Sequence, residues 1–80
     1  MKTIKAYYSE KDKFYTDKEV YRLTQAGYEV EQINSASLPR AMLTPQFVIY
    51  KNNQVFNKLV GKQNPGAVVS WVKNTIKGNE

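Results

Sequence analysis

Two short β-prone runs, Thr3–Tyr8 (TIKAYY) and Tyr28–Ile33 (YEVEQI), flank one segment of helical character, and that spacing constrains the chain more than any other feature. A strand, a helix and a strand within about thirty residues close most simply as a parallel pair with a right-handed crossover. Between the runs, Thr16 and Glu19 have the spacing of a capping box, which predicts a helix from about Asp17 to Ala26. Val20, Leu23 and Ala26 or Gly27 supply a narrow apolar stripe, joined by Phe14 and Tyr21 one face-repeat apart. Gly27 suits the left-handed position just past a helix end.

Downstream, Gln46–Tyr50 (QFVIY) and Val55–Val60 (VFNKLV) are two further strands. Lys51-Asn52-Asn53-Gln54 between them is a hairpin signal, because Asn tolerates the positive φ of a tight primed turn. Asn64-Pro65 reads as a helix opening, with Asn as cap and Pro at the first helical position. Val68, Val69, Val72 and Ile76 then line one side of a helix reaching about Lys77, with Trp71 flanking. Asn34–Leu43 is either a loop or one helical turn capped by Ser37 with Pro39 in the first turn; the sequence supports both. Eighty residues without a linker or repeat make one domain, residues 1–80. The fold class expected is α/β, with a four-stranded mixed sheet.

The chain has no Cys and no His. Disulfides, thiolate chemistry, ordinary zinc sites and imidazole base catalysis are therefore excluded. The carboxylates Glu10, Asp12, Asp17 and Glu19 gather near the expected helix start, where the macrodipole favours negative charge, and need no catalytic explanation. A non-enzymatic protein without cofactor or metal is expected. No run of about 18 apolar residues is present, and a charged stretch stands where a signal peptide would have its apolar core, so the expected location is cytoplasmic.

Several segments, taken in order, resemble the thioredoxin superfamily, and most closely the small glutaredoxin-like redoxins that donate electrons to ribonucleotide reductase. Gly27-Tyr28-Glu29-Val30-Glu31-Gln32-Ile33-Asn34 is similar to the Gly-aromatic pair and Ile-Asn strand after that family's first helix. Thr44-Pro45-Gln46-Phe47-Val48-Ile49-Tyr50-Lys51-Asn52 resembles its cis-proline motif and following strand, with Asn53 where Gly is usual. Leu59-Val60-Gly61 resembles the glycine after the fourth strand. The resemblance implies a thioredoxin-like β-α-β-β-β-α domain with a cis Thr44–Pro45 bond.

Two departures follow from it. Counted back from Gly27, the family's Cys-x-x-Cys falls on Lys13-Phe14-Tyr15-Thr16, so dithiol exchange cannot carry over. Natural loss of the sulfurs and their replacement in a redoxin by substitution are both consistent with the sequence. What the resemblance leaves is the surface that grips an extended peptide beside the cis-proline: Lys13, Phe14, Tyr15, Thr16, Thr44 and Pro45, a recognition that needs no sulfur. The bland alternative packs Phe14 under the helix and leaves Tyr15 and Lys13 as incidental surface groups. The second departure is a missing helix between the second and third strands, where only about ten residues stand. One sheet face is then thinly covered, carrying either Phe47 and Ile49 or Val48 and Tyr50, with Leu38, Met42 and Leu43 plugging it or joining a contact. Self-association, most directly through Leu38, Met42, Leu43, Phe47 and Ile49, or a protein ligand is expected there; closure of a small monomeric core by the same residues is the alternative.

The leading expectation is a redox-inactive domain acting by protein binding, as a subunit or modulator. Nucleic-acid binding is the alternative: the net charge is +5, and Lys51, Lys58, Lys62, Lys73 and Lys77 lie in the C-terminal part beside Tyr50, Phe56 and Trp71. A glutathione-like ligand docking on Thr44-Pro45 through backbone groups is a further variant, without catalysis.

Overall fold

The structure, a computed structural model, describes residues 2–77. β1 (Lys2–Tyr8) leads through a 3₁₀ turn at Glu10–Asp12 into α1 (Lys13–Gln25), followed by β2 (Val30–Asn34) and a 3₁₀ turn at Ser35–Ser37. β3 (Gln46–Lys51), β4 (Gln54–Val60) and α2 (Ala67–Lys77) complete the chain. The strands form one mixed sheet in the order β2-β1-β3-β4, with β1 parallel to β2 and antiparallel to β3, and β3 antiparallel to β4. The molecule is a small α/β fold with a four-stranded mixed sheet and two helices. Among the described residues no helix is long and apolar enough to cross a membrane.

Strand alternation puts Ile4 and Ala6 of β1 and Phe47 and Ile49 of β3 on one face, where Leu23 of α1 and Val68 and Val72 of α2 cover them. Phe47 and Ile49 are 1% and 0% exposed. They belong to the core, which corrects their assignment to a self-association face; the opposite set, Val48 and Tyr50, lies on the face without helices. Val48 is nevertheless 3% exposed. Tyr7 sits opposite Gln46 and Tyr50 opposite Thr3, yet the two tyrosine hydroxyls meet at 2.8 Å, so the bridge must pass over the Lys5–Val48 pair between them. Lys5 Nζ stands 5.1 Å from the Tyr50 ring centroid. Burial, and next the hydrogen bond to Tyr50, push the Tyr7 hydroxyl pKa up to about 12.

α1 begins at Lys13, four residues before the expected start, so Thr16 and Glu19 lie inside the helix rather than at its cap. Both are buried, and Glu19 pairs with Arg22 one turn on instead of reaching back to an N-terminal N–H. The capping box does not form, and Asp17 and Glu19 stand beyond the first turn. Asp12 occupies the cap position, but its carboxylate is engaged by Ser9. Phe14 and Tyr21 share the outer face of α1, about half a helical revolution from Leu23, and do not join the core stripe.

The C-terminus of α1 closes as expected. Gly27 has φ 97°, its N–H donates to the Thr24 carbonyl and that of Tyr28 to the Leu23 carbonyl, a Schellman arrangement in which Tyr28 and Leu23 both pack at the core. Asn52 and Asn53, at φ 53° and 68°, supply the two left-handed residues of the β3–β4 turn. Between β2 and β3 the single turn sits at Ser35–Ser37, capped by Asn34, whose Oδ1 accepts from the Ala36 N–H at 2.9 Å. Leu38 is already extended, so the turn capped by Ser37 with Pro39 in its first turn does not form. α2 starts at Ala67, two residues later than expected, because Gly66 at φ 85° cannot belong to a right-handed helix.

A Cβ at residue 27 would meet nothing within 4 Å, so the cost of replacing this glycine is conformational alone. Gly27→Ala is expected to destabilise the fold by about 1 kcal/mol, read as a lower urea midpoint at unchanged slope.

Candidate functional site

The ends of three strands converge on the Thr44–Pro45 peptide bond, which is cis. β1 delivers Ser9–Asp12 past its C-terminus, β3 starts just after Pro45, and β4 runs out into Gly61, whose N–H donates to the Pro45 carbonyl at 2.8 Å. A shallow cleft of about 460 Å³ opens there, lined by Lys11, Asp12, Thr44, Pro45, Gly61 and Lys62. Among the described residues no hydrogen bond engages the Thr44 backbone N–H or carbonyl.

The cleft is fastened by a relay of side chains. The Thr44 hydroxyl donates to Ser9 Oγ at 3.2 Å, and Ser9 Oγ–H donates to Asp12 Oδ2 at 2.8 Å, joining the start of α1 to the proline turn across 35 residues of sequence. Asp12 is 3% exposed, and burial alone would raise its carboxyl pKa. Hydrogen bonding from the linked Thr44–Ser9 hydroxyls, with Lys11 adding a positive charge, outweighs burial and holds it below the usual 3.8. The cleft therefore presents lysines at its rim over a carboxylate whose hydrogen-bonding capacity is turned inward.

The four residues Lys13 to Thr16, expected to form part of one binding surface, separate. Lys13 is exposed and pairs with Asp17 at 2.8 Å. Phe14 is 74% exposed, with Lys18 Nζ 4.5 Å from its ring centroid. Tyr15 is half-buried and its hydroxyl accepts the Gln63 N–H at 2.9 Å, so it brackets the loop after β4 to α1. Thr16 is fully buried, its Oγ1 without a hydrogen-bond partner, and cannot touch a binding partner. Of the expected peptide-gripping set, Thr44 and Pro45 line the cleft, Lys13 and Phe14 face solvent on α1, and Tyr15 and Thr16 serve the fold. Phe14 instead joins Asp17, Lys18, Tyr21 and Arg22 around an open depression of about 520 Å³ on the outer face of α1.

Leu38 and Met42 are half-buried and Leu43 is exposed in the connection that crosses the end of β1 from β2 to β3. The five C-terminal lysines do not form one patch. Lys51 stands over Phe56, Lys58 projects from the helix-free face, Lys62 is at the cleft, and Lys73 and Lys77 belong to α2 on the opposite face. Phe56 and Trp71 are half-buried and pack against the core, with Lys2 and Lys51 standing over the Phe56 ring. Ser9, Lys11 and Asp12 were not singled out as site residues by the sequence. Ser9 marked only a strand end and Asp12 only a charge near a helix start.

Because the folded-state pKa of Asp12 is depressed, its carboxylate contributes stability above pH 3.8 that is lost as pH falls through the lower folded value. Wild type is expected to exceed Asp12→Asn in stability at neutral pH, with the gap closing as both are unfolded in urea at progressively lower pH below 3.8. A gap that stays constant into acid would show that the charged carboxylate contributes nothing.

The sequence matches no protein-family model, and no curated protein matches it either.

Proposed function

We propose that this chain is a redox-inactive thioredoxin-like domain that works by protein binding, holding an extended segment of a partner against the cis Thr44–Pro45 turn. The observation that carries the reading is the groove itself: a cis-proline with the neighbouring Thr44 backbone unused, at the point where β1 and β4 end and β3 begins. An extended peptide can add its own backbone N–H and carbonyl to such a residue without any side-chain chemistry. Lys11 and Lys62 on the rim favour a segment carrying acidic residues. The strand order and the position of the sulfur-motif residues between β1 and the body of α1 support the thioredoxin-like reading, and the lack of cysteine removes the exchange chemistry of that family.

The test is affinity capture from the source cell with the tagged full chain, in the presence of nuclease, followed by titration of the recovered protein against wild type and the Lys11→Glu/Lys62→Glu variant. Recovery of a defined protein whose affinity falls about tenfold or more in the variant is expected. Recovery abolished by nuclease, or equal affinity for both forms, overturns the assignment.

A second measurement probes the scaffold. Lys13 is the first helical residue and Thr16 lies three positions on, a separation compatible with a disulfide. The Lys13→Cys/Thr16→Cys variant is expected to form an intramolecular disulfide and to show, when reduced, a thiol at position 13 titrating below about 8.5, as thiols at helix N-termini do. A variant that folds but keeps both thiols free under oxidation counts against the thioredoxin-like reading.

A further inference from the structure

The sheet face without helices has an ordered chemistry. Register aligns Glu31, Lys5, Val48 and Lys58 in one row across β2, β1, β3 and β4. The next row reads Ile33, Tyr7, Gln46 and Val60. Each row thus ends in complementary groups: an acid on β2 against a base on β4, then an aliphatic side chain on each edge. The charge of Lys5 in the middle is placed over the Tyr50 ring.

A two-fold axis running along the strands between β1 and β3 carries β2 onto β4 and returns every row to itself. Two copies stacked in this way, at the ordinary sheet-to-sheet spacing of about 10 Å, set Glu31 against Lys58 of the second copy, twice, and Ile33 against Val60, twice. The Tyr7–Tyr50 bridge runs from β1 to β3 and so crosses the axis; Tyr7 is itself 8% exposed, so the half-buried Tyr50 and Lys5 present the central surface, with the ion pairs at the rim. We infer that this face is a homodimer interface in which two copies of the chain stack sheet to sheet about that axis.

The other ways of covering the face fit less well. A nucleic acid would meet Glu31 in the same row as the lysines, and the tyrosine rings are tied to each other rather than free to stack on bases. Edge-to-edge pairing through β4 is obstructed by the chain itself. The Lys58 N–H is taken by Asn57 Oδ1 at 2.9 Å, and the Val60 carbonyl by Gln63 Nε2 at 3.2 Å. Four strands about 4.8 Å apart and six residues long give a face of roughly 20 by 20 Å, small for a permanent complex, so the dimer is weak and concentration-dependent. This inference concerns a different surface from the proline cleft and does not rest on the function proposed for it.

Sedimentation equilibrium of the full chain across the micromolar to millimolar range, in low salt, tests it with Glu31→Lys, Lys58→Glu and the double reversal. Wild type is expected to dimerise, each single reversal to weaken association about tenfold or more, and the double reversal, which restores both ion pairs with opposite polarity, to recover it. Circular dichroism confirms the fold of each variant. Lys58→Glu, whose row neighbour Val48 is uncharged, decides the matter if Glu31→Lys, beside Lys5, lowers stability. A chain that stays monomeric throughout overturns the inference, as does a dimer indifferent to Lys58→Glu or a double reversal no tighter than the singles.

Discussion

β1 occupies the centre of the sheet, bonded on one side to a parallel strand and on the other to an antiparallel one, and the rest of the architecture depends on that placement. Ile4 and Ala6 must then face the helices. Ile4 is in register with Ile49 and Ala6 with Phe47, so the core set on β3 follows from that on β1, and Leu59 on β4 follows from Phe47. Because helices cover the sheet on one side only, they close the core there, and the other side keeps a mixture of charged and aromatic groups over a buried Val48. In a chain of this length the apolar surface that can be buried is limited, and one well-filled layer is what it supports.

The strands and the places where the chain must turn were legible in the sequence because their causes are local. Gly27 and the Asn52-Asn53 pair adopt positive φ as their residue types allow, and β-prone runs bounded by turn signals marked all four strands within two residues of their observed bounds. The start of α1 was not legible. Thr16 and Glu19 satisfy a capping pattern, but the same pair three positions apart also fits a helix interior, and the choice falls to tertiary packing that buries both and gives Glu19 the Arg22 guanidinium. Pro65 likewise looked like a first helical residue until Gly66 after it took a left-handed conformation.

The faces and the site were half legible. Alternation separates Phe47 and Ile49 from Val48 and Tyr50 but carries no sign; only the side on which the helices pack assigns one set to the core. Pro45 was singled out only through the resemblance to a cis-proline motif, and the Ser9–Asp12–Thr44 relay not at all, since it joins residues far apart in sequence through small polar side chains that look ordinary in isolation. Tyr15 shows the reverse. Its position suggested a surface aromatic, and it is a bracket holding the loop after β4 against α1, which fixes the rim of the cleft near Lys62 without entering it.

The side-chain caps on β4 also bear on how far any assembly of this chain can grow. Contact about a two-fold axis is complete once two copies have met, whereas strand-to-strand addition along an edge presents a new edge after each step and has no natural end. By occupying the Lys58 N–H and the Val60 carbonyl, Asn57 and Gln63 hinder the open-ended route at that edge and leave the face free. Two amide side chains thereby separate finite association from fibre-like growth at that edge.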